Sequence, residues 1–423
     1  MLNNLDSIQK KAIKHLRIAL RNDHEHLPSI VSLCDILIES KNYDEAQIIL
    51  KTAVKQSTES AALYYQQAKI SFKILCYEEA LSCIKKSINL QANESKSYWL
   101  AYEILLASNQ QHLAIPYLEK LTDLSPLDGK AFFELAKLLH NSSELLRKKL
   151  LLEIAVDLLP NDVSPIIELA SLHIQGESEV DDQNTNCKPN YIEAEKLFKL
   201  AIEINPNLGT PWYFLGNLNL DQNNKKIAKK QFFKAYQFEE TKGKAAYQLG
   251  LLTLKDTNQK QAEDYFHEAL KLNVKKSSCL FYISEILINK KDYNGSLELL
   301  KKALQIVNEE QNYEYEKSKS YSDSTNFYLA RKYLKAAFKV KELHSKIIIK
   351  IYQLNKILQY TQQVEEVLTK AILLNPSYFE PYFELGLHLV QENRVEEAQV
   401  KFSNACNNKW DHFESHFELG KLE

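Results

Sequence analysis

The sequence repeats itself every 34 residues along nearly its whole length, and this period limits what the chain can fold into. Most units carry a small residue, a large apolar residue four places later and a small residue three places after that. This spacing puts all three residues on one face of a helix. Clear copies are Ala194, Phe198 and Ala201; Ala228, Phe232 and Ala235; and Ala262, Phe266 and Ala269. Twelve copies share the register, and only the interval from Ala155 to Ala201 is longer, at 46 residues.

A second helical segment precedes each trio with the same period. Its most regular mark is a Leu-Gly pair, found as Leu215-Gly216, Leu249-Gly250, Leu385-Gly386 and Leu419-Gly420. Small residues on both helices let the two backbones approach closely. Prolines fall at the ends of these segments or in their first turns, where the missing N–H costs little, and Pro116 alone lies inside a predicted helix.

These signals predict an all-α solenoid of about twelve 34-residue helix-turn-helix units. We expect an N-terminal array over 1–174, an inserted acidic loop over 175–190 within the sixth repeat, and a continuous C-terminal array over 191–423. In the segment 308–326, Lys317 and Ser318 replace the Leu-Gly pair. This predicts a degenerate repeat there, with a first helix that is poorly packed or extended.

The period, Trp212 followed by Leu215-Gly216, the trio Ala228, Phe232 and Ala235, and Asn-Pro at the repeat junction together resemble the tetratricopeptide repeat family. The resemblance covers essentially the whole chain. It implies a right-handed superhelix of antiparallel helix pairs, in which first helices line a concave groove and second helices form the convex back. Family members typically hold an extended peptide or a helix of a partner in the groove. The fold alone does not fix the function.

Aromatic residues dominate the place after Trp212 in the repeat, which on the family's geometry points into the groove. They include Tyr65, Trp99, Phe133, Tyr213, Tyr247, Phe281 and Phe383. One interpretation is a ridge that gives apolar, low-entropy contact area to a bound segment. The other is that these rings pack against neighbouring helices.

The charge on the same face is mixed in the earlier repeats and acidic in the last two. Glu380, Glu384, Glu414 and Glu418 form the acidic group. Charge complementarity would favour a basic partner segment there. A solvated helix face explains the same glutamates, so both interpretations stay open.

Motifs for catalysis are missing from the sequence. It has no glycine-rich phosphate loop, no H-E-x-x-H and no G-x-S-x-G, and its 11 histidines and 6 cysteines are dispersed without metal-ligand spacing. The net charge of -2 argues against a dedicated nucleic-acid binder. No apolar stretch reaches membrane-spanning length. We therefore expect a cytoplasmic protein that is not an enzyme and has no catalytic residue, cofactor or metal.

The sequence favours a non-catalytic scaffold or adaptor for complex assembly, which binds a peptide or helical segment of a partner protein. Two alternatives stay open: the targeting arm of a larger enzyme such as a glycosyltransferase, and an RNA-processing solenoid. The chain opens just before a second helix and stops inside a first helix. Because solenoid ends usually carry a polar cap, we expect either a truncated chain or self-association through the uncapped ends.

Overall fold

A computed structural model describes residues 2–56, 60–139, 144–175, 190–255, 258–323, 327–357 and 364–422. Every regular element in these ranges is a helix. The acidic loop expected over 175–190 lies outside the described residues except at its two ends. The helices divide between two compact units, of which the first contains residues 1–139 and 144–165 and the second contains residues 166–423.

The first unit holds nine helices among its described residues. They are α1 (Leu2–Asn22), α2 (Leu27–Glu39), α3 (Tyr43–Gln56), α4 (Ala61–Lys73), α5 (Tyr77–Leu90), α6 (Ser95–Ala107), α7 (Ile115–Leu124), α8 (Gly129–Leu138) and α9 (Leu145–Leu158). A 3-10 turn over Gln111–Ala114 leads into α7. Pro116, which the sequence places inside a helix, lies in the first turn of α7.

The second unit contains nearly all of α10 and the helices that follow it. They are α10 (Val163–Gln175), α11 (Tyr191–Ile204), α12 (Gly209–Asp221), α13 (Lys225–Tyr236), α14 (Glu239–Lys255), α15 (Gln259–Lys271), α16 (Lys276–Asn289), α17 (Tyr293–Asp323), α18 (Phe327–Ile357), α19 (Val364–Leu374), α20 (Phe379–Gln391), α21 (Val395–Asn408) and α22 (Phe413–Leu422). Even-numbered helices up to α20 open a pair as its first helix, and the odd-numbered helix after each is its second.

The turn inside a pair has one recurring conformation. Six residues at equivalent places have a left-handed backbone, with φ between 58° and 65°: Lys41, Leu75, Asn109, Asn223, Lys291 and Asn393. At the first of them, the N–H of Asn42 donates to the carbonyl of Leu37 at 2.8 Å, and the N–H of Lys41 donates to Ile38 at 3.1 Å. This is a Schellman motif, which ends the first helix and reverses the chain into the second.

Successive pairs are tied together by side chains as well as by the core. Arg147 pairs with Glu119 at 2.6 Å and so joins α9 to α7, and Arg394 pairs with Glu365 at 2.9 Å beside α19 and α21. Each tie is solvent-exposed, so its contribution to stability is modest.

The start of α12 is capped by a residue of the following pair. Glu240 in α14 accepts hydrogen bonds from the N–H of Gly209 at 2.8 Å and the N–H of Thr210 at 3.0 Å. Leu208, at the N-cap position of α12, has no side-chain acceptor of its own. A carboxylate at a helix N-terminus also interacts favourably with the helix dipole. The first turn of α12 is therefore completed only when α14 is in place.

The degenerate repeat differs from the helix pair that its register predicts. α17 and α18 are each 31 residues long. The second helix of one predicted unit continues into the first helix of the next, because residues 308–312 contain neither Pro nor Gly to end it. The two long helices form an antiparallel hairpin, in which Leu300 and Val307 share a core with Ile347 and Leu354.

About half of the α17–α18 hairpin, the half that contains the end of α17 and the start of α18, does not pack on the neighbouring helix pairs within the described ranges. Glu310 accepts a hydrogen bond from Ser277 in the first turn of α16, so the residues of α17 after it extend beyond the start of α16. The described residues therefore form ten pairs, α2/α3 to α20/α21, with α1 and α22 beside them. Of the twelve units in the register, one is therefore the projecting part of the α17–α18 hairpin and not a helix pair.

Candidate functional site

The seven aromatic residues of the predicted ridge all lie on first helices. Six are half-buried, namely Tyr65, Trp99 and Phe133 in the first unit and Tyr213, Tyr247 and Phe383 in the second. Phe281 differs, because it is only 6% exposed and belongs to the core shared by α16, α17 and α18. Its ring therefore offers little surface to a partner. We use the term first-helix face for the side of each unit on which the other six rings lie.

On the first unit, Trp99 is held in place by the next first helix. Its indole Nε1 donates a hydrogen bond to Oδ2 of Asp128 at 2.9 Å. The ammonium of Lys130 lies 5.2 Å from the centre of the Trp99 ring, within the range of a cation–π contact. Asp128 is the N-cap residue of α8. The same carboxylate thus starts α8 and orients the indole on α6.

Tyr102, one helical turn after Trp99, forms a second link between the same two helices. Its hydroxyl donates to Glu134 of α8, and Lys137 donates to the same carboxylate at 2.8 Å. Burial and the Glu134 carboxylate both raise the pKa of Tyr102. Lys137 also lies 5.4 Å from the centre of the Phe133 ring. We call these seven residues the α6–α8 cluster: Trp99, Tyr102, Asp128, Lys130, Phe133, Glu134 and Lys137.

Tyr65 lies in a comparable setting between α2 and α4. Lys69, one turn after it, donates to Asp35 of α2 at 2.6 Å. Burial raises the pKa of Tyr65. Side-chain bonds between successive first helices thus recur along the face.

In the second unit, the ridge aromatics also pack inward. Each has a phenylalanine of its own second helix beside it, and the ring centres are 5.7 Å apart for Tyr213–Phe232, 6.2 Å for Tyr247–Phe266 and 5.9 Å for Phe383–Phe402. The interpretation that these rings pack against a neighbouring helix therefore holds for all three. Because they remain half-buried, part of each ring still lies at the surface.

The same three phenylalanine rings fill the space beside the glycines of the Leu-Gly pairs. A Cβ atom built on Gly216 would lie 2.5 Å from the ring of Phe232, and one on Gly250 would lie 2.7 Å from Phe266. At Gly386 the corresponding distance to Phe402 is 2.6 Å. No side chain fits at these three positions. The glycine of each Leu-Gly pair therefore leaves the space in which a phenyl ring packs between the two helices. The chain therefore folds as an all-α array of helix pairs that resembles tetratricopeptide repeats.

Several solved tetratricopeptide structures resemble this chain in fold. The C-terminal part of a TPR repeat-containing protein from Cytophaga hutchinsonii is 16% identical, with 60% of this chain and 99% of that chain covered and a TM-score of 0.48. The APC/C hetero-tetramer Cut9-Hcn1 is 11% identical, with 99% and 94% covered and a TM-score of 0.45. YrrB, described as a TPR protein with an unusual peptide-binding site, is 17% identical, with 46% and 95% covered and a TM-score of 0.38.

These likenesses concern the fold alone. A scan against family models and a search of curated proteins found no match.

The four glutamates of the acidic group all have partners within the chain. Glu380 accepts from the hydroxyl of Tyr378 at 2.7 Å, and Glu384 pairs with Lys356 of α18 at 3.2 Å. Glu418 pairs with Lys421 at 2.8 Å, and Glu414 lies 3.2 Å from His412. Glu414 alone is exposed, while the other three are half-buried. The acidity of this end is therefore partly balanced by neighbouring cations.

The described residues show little reactive chemistry. Burial raises the pKa of the Cys34 and Cys279 thiols to about 12, so both are protonated at neutral pH. Among the residues that the structure describes, no group of three His, Cys, Asp or Glu side chains is arranged to hold a metal ion. No described helix is both long and apolar enough to cross a membrane.

Sequence reasoning missed Tyr102 and Asp128 as members of the face. Tyr102 occupies the small-residue place of its repeat, where a tyrosine is unexpected, and it follows Trp99 by three residues on one helix face. Asp128 precedes α8 as an N-cap residue, which usually indicates a local role. Only the structure shows that its second oxygen reaches back to α6.

Proposed function

We propose that this protein is a non-catalytic interaction scaffold that binds a segment of a partner protein along its first-helix faces. The α6–α8 cluster carries the proposal. Its aromatic and charged groups are linked by hydrogen bonds between successive helices, so they lose little rotamer freedom when a partner binds. Half-buried Trp and Tyr rings are the residue types that most often dominate binding energy at protein interfaces.

The partner chemistry differs between the two ends of the chain in this proposal. On the α6–α8 cluster, the exposed ammonium groups of Lys130 and Lys137 favour a segment that presents carboxylates beside an apolar side chain. At α20 and α22, Glu384, Glu414 and Glu418 favour a basic segment, which would compete with Lys356, His412 and Lys421 for these carboxylates.

Affinity capture with a matched set of variants tests the proposal. The Lys130→Glu, Lys137→Glu double variant replaces both cations of the cluster by carboxylates, and Glu414→Lys, Glu418→Lys reverses the charge of α22. Lys230→Glu on α13 serves as the control. It also replaces an exposed lysine by glutamate, but it lies on a second helix. Proteins captured by the wild type should be lost with at least one face variant and retained with the control.

Circular dichroism of each variant should match the wild type, because Lys130, Lys137, Glu414 and Lys230 are exposed and Glu418 is half-buried at the helix surface. If both face variants capture every wild-type partner at full strength, the first-helix faces are not the binding surface. The enzyme-arm and RNA-processing alternatives gain no specific support from the described residues.

A further inference from the structure

Helix α13 is strongly basic in a chain whose net charge is -2. It contains five lysines and neither aspartate nor glutamate. Ala228, Phe232 and Ala235 are buried on its inner side, so the residues opposite them face solvent. That outer side combines lysines with apolar residues, all of them exposed. We call these five residues the α13 surface: Lys226, Ile227, Lys230, Phe233 and Lys234.

The two apolar residues of the α13 surface leave about half of their side chains in solvent. Ile227 is 49% exposed and Phe233 is 51% exposed. The preceding second helix, α11, has apolar residues at equivalent outward places, where Ile192 is 72% and Leu200 is 39% exposed. Both helices thus expose apolar groups on the side opposite the buried trio, and three of these four side chains are aliphatic.

The charge of the α13 surface is not balanced by nearby carboxylates. Within the described ranges, no carboxylate pairs with Lys226, Lys230 or Lys234. On the next second helix, α15, Asp264 and Glu268 stand at the places of Lys230 and Lys234, so the basic character ends there. The α13 surface can therefore attract an anionic partner without first breaking ion pairs of its own.

We propose that the α13 surface binds a membrane that contains anionic lipids. The lysines contact the lipid headgroups, and their long side chains lie along the apolar groups between them. Phe233 and Ile227 enter the boundary between headgroups and acyl chains. A single-stranded nucleic acid fits this surface less well, because aliphatic side chains such as Ile227 and Ile192 offer no ring on which a base can stack.

Membrane binding in this proposal is independent of the function proposed above. The α13 surface belongs to a second helix, whereas partner proteins are proposed to bind the first-helix faces. The two surfaces share no residue, so either proposal can fail without the other.

Co-sedimentation of the full chain with lipid vesicles tests the proposal. The wild type should bind vesicles of phosphatidylcholine with about 30% phosphatidylserine and should not bind phosphatidylcholine alone. Lys226→Glu, Lys234→Glu should weaken binding to the anionic vesicles by about tenfold or more. The matched control is Lys301→Glu, Lys302→Glu on α17, which makes the same change in net charge at two exposed lysines of another helix. It should bind as the wild type does.

Phe233→Gln separates lipid insertion from charge attraction alone. It keeps every lysine, so it should still bind the anionic vesicles, but about fivefold more weakly because the ring no longer enters the lipid. This loss should be similar at all salt concentrations, since an apolar contact is not screened. Circular dichroism of all these variants should match the wild type, because the substituted side chains are exposed.

Three results would overturn the proposal. The first is a wild type that does not bind the anionic vesicles, including the case in which it binds poly(U) RNA through the same lysines. The second is an equal loss of binding in the Lys301→Glu, Lys302→Glu control, which would show a general effect of net charge. The third is undiminished binding of Phe233→Gln, which would show that the ring does not enter the lipid.

Discussion

At the scale of single residues, three glycines set the distance between the helices of their pairs. Gly216, Gly250 and Gly386 each have a phenyl ring where a Cβ atom would lie. In two other pairs the same place holds Ala68 or Ala136, opposite Ile84 or Leu152, which are smaller than phenylalanine. Residue size on one helix is therefore matched to residue size on the other, as dense packing requires.

Replacement of Gly250 by alanine should destabilise the α14/α15 pair. Alanine favours a helix over glycine by about 1 kcal/mol, but overpacking against the Phe266 ring costs about 1–3 kcal/mol. We expect hydrogen exchange of the α14 and α15 amides to become faster. Gly420→Ala is the matched control, because the propensity gain is the same and no ring is present. Equal effects of the two substitutions would show that the ring contact is unimportant.

Leu75 should be replaceable with a gain in stability. Its backbone is left-handed, with φ at 65°, and its side chain is 69% exposed. Asn109, Asn223 and Asn393 occupy the equivalent place, and asparagine tolerates this conformation better than leucine. Leu75→Asn should therefore raise the free energy of unfolding of the α4/α5 pair by about 1 kcal/mol. Leu127→Asn, at another exposed leucine, should give no such gain in the same urea titration.

Much of the residue packing between paired helices could be predicted from the sequence, because the sequence gives the size and the spacing of the residues directly. The Leu-Gly pair and the alanine–phenylalanine trio predict which side chains face one another. The partners of the glutamates could not be predicted in this way. Lys356 reaches Glu384 from a different helix, 28 residues away, and only the rotamers and the packing angle of the two helices decide that contact.

At the scale of elements, the α17–α18 hairpin shows where the register misleads. The 34-residue spacing continues through it, yet no turn separates residue 307 from 308. A repeat forms a helix pair only if a turn separates its helices and its first helix has room for the second helix to pack on it. Residues 308–312 lack a helix breaker, and Lys317 and Ser318 replace the Leu-Gly pair, so both conditions fail together. Periodicity measures spacing, and helix ends depend on local chemistry.

The hairpin should lose stability as the pH falls. His344 is buried at the contact between α18 and α17, and its Nδ1 lies 3.1 Å from Oε1 of Gln311. Burial, followed by the positive charge of Lys370, lowers its pKa from 6.5 to about 4. The folded state therefore disfavours the proton. The stabilisation is fully present above pH 6.5 and is lost as the pH falls towards 4.

The urea midpoint of unfolding measures this effect between pH 7.5 and pH 4. The wild type should lose stability over that window, and His344→Gln should lose less, because glutamine keeps a donor for Gln311 and does not titrate. His24→Gln, at an exposed histidine, should follow the wild-type profile. Parallel profiles for the wild type and His344→Gln would contradict the assignment.

At the scale of the whole molecule, stability in a repeat protein is built from each repeat and its contacts with its neighbours. The cores of α2 with α3 and of α19 with α21 share no residue. They also belong to different compact units. Damage to one core should therefore stay local, in contrast to a small globular domain, which unfolds as a single cooperative unit.

Truncation of Leu33 tests this locality. Leu33 is buried in the core around α2, and Leu33→Ala should cost about 2–5 kcal/mol. Hydrogen exchange should become faster in α2 to α4 and stay unchanged in α19 to α21. Leu385→Ala, in the core around α20, should give the reverse pattern. Uniform acceleration across all helices in either variant would show that the whole chain unfolds cooperatively.

The cap that Glu240 supplies to α12 has a consequence for engineering. Consensus repeat proteins are often lengthened or shortened by whole modules, since each module is self-contained. Here, deletion of the α14/α15 module would remove the carboxylate that holds the first two N–H groups of α12. A shortened chain would therefore need a new acceptor, such as Leu208→Asp, at the edited junction. These repeats are equal in length, but one repeat cannot be removed or exchanged without a change in the capping of its neighbour.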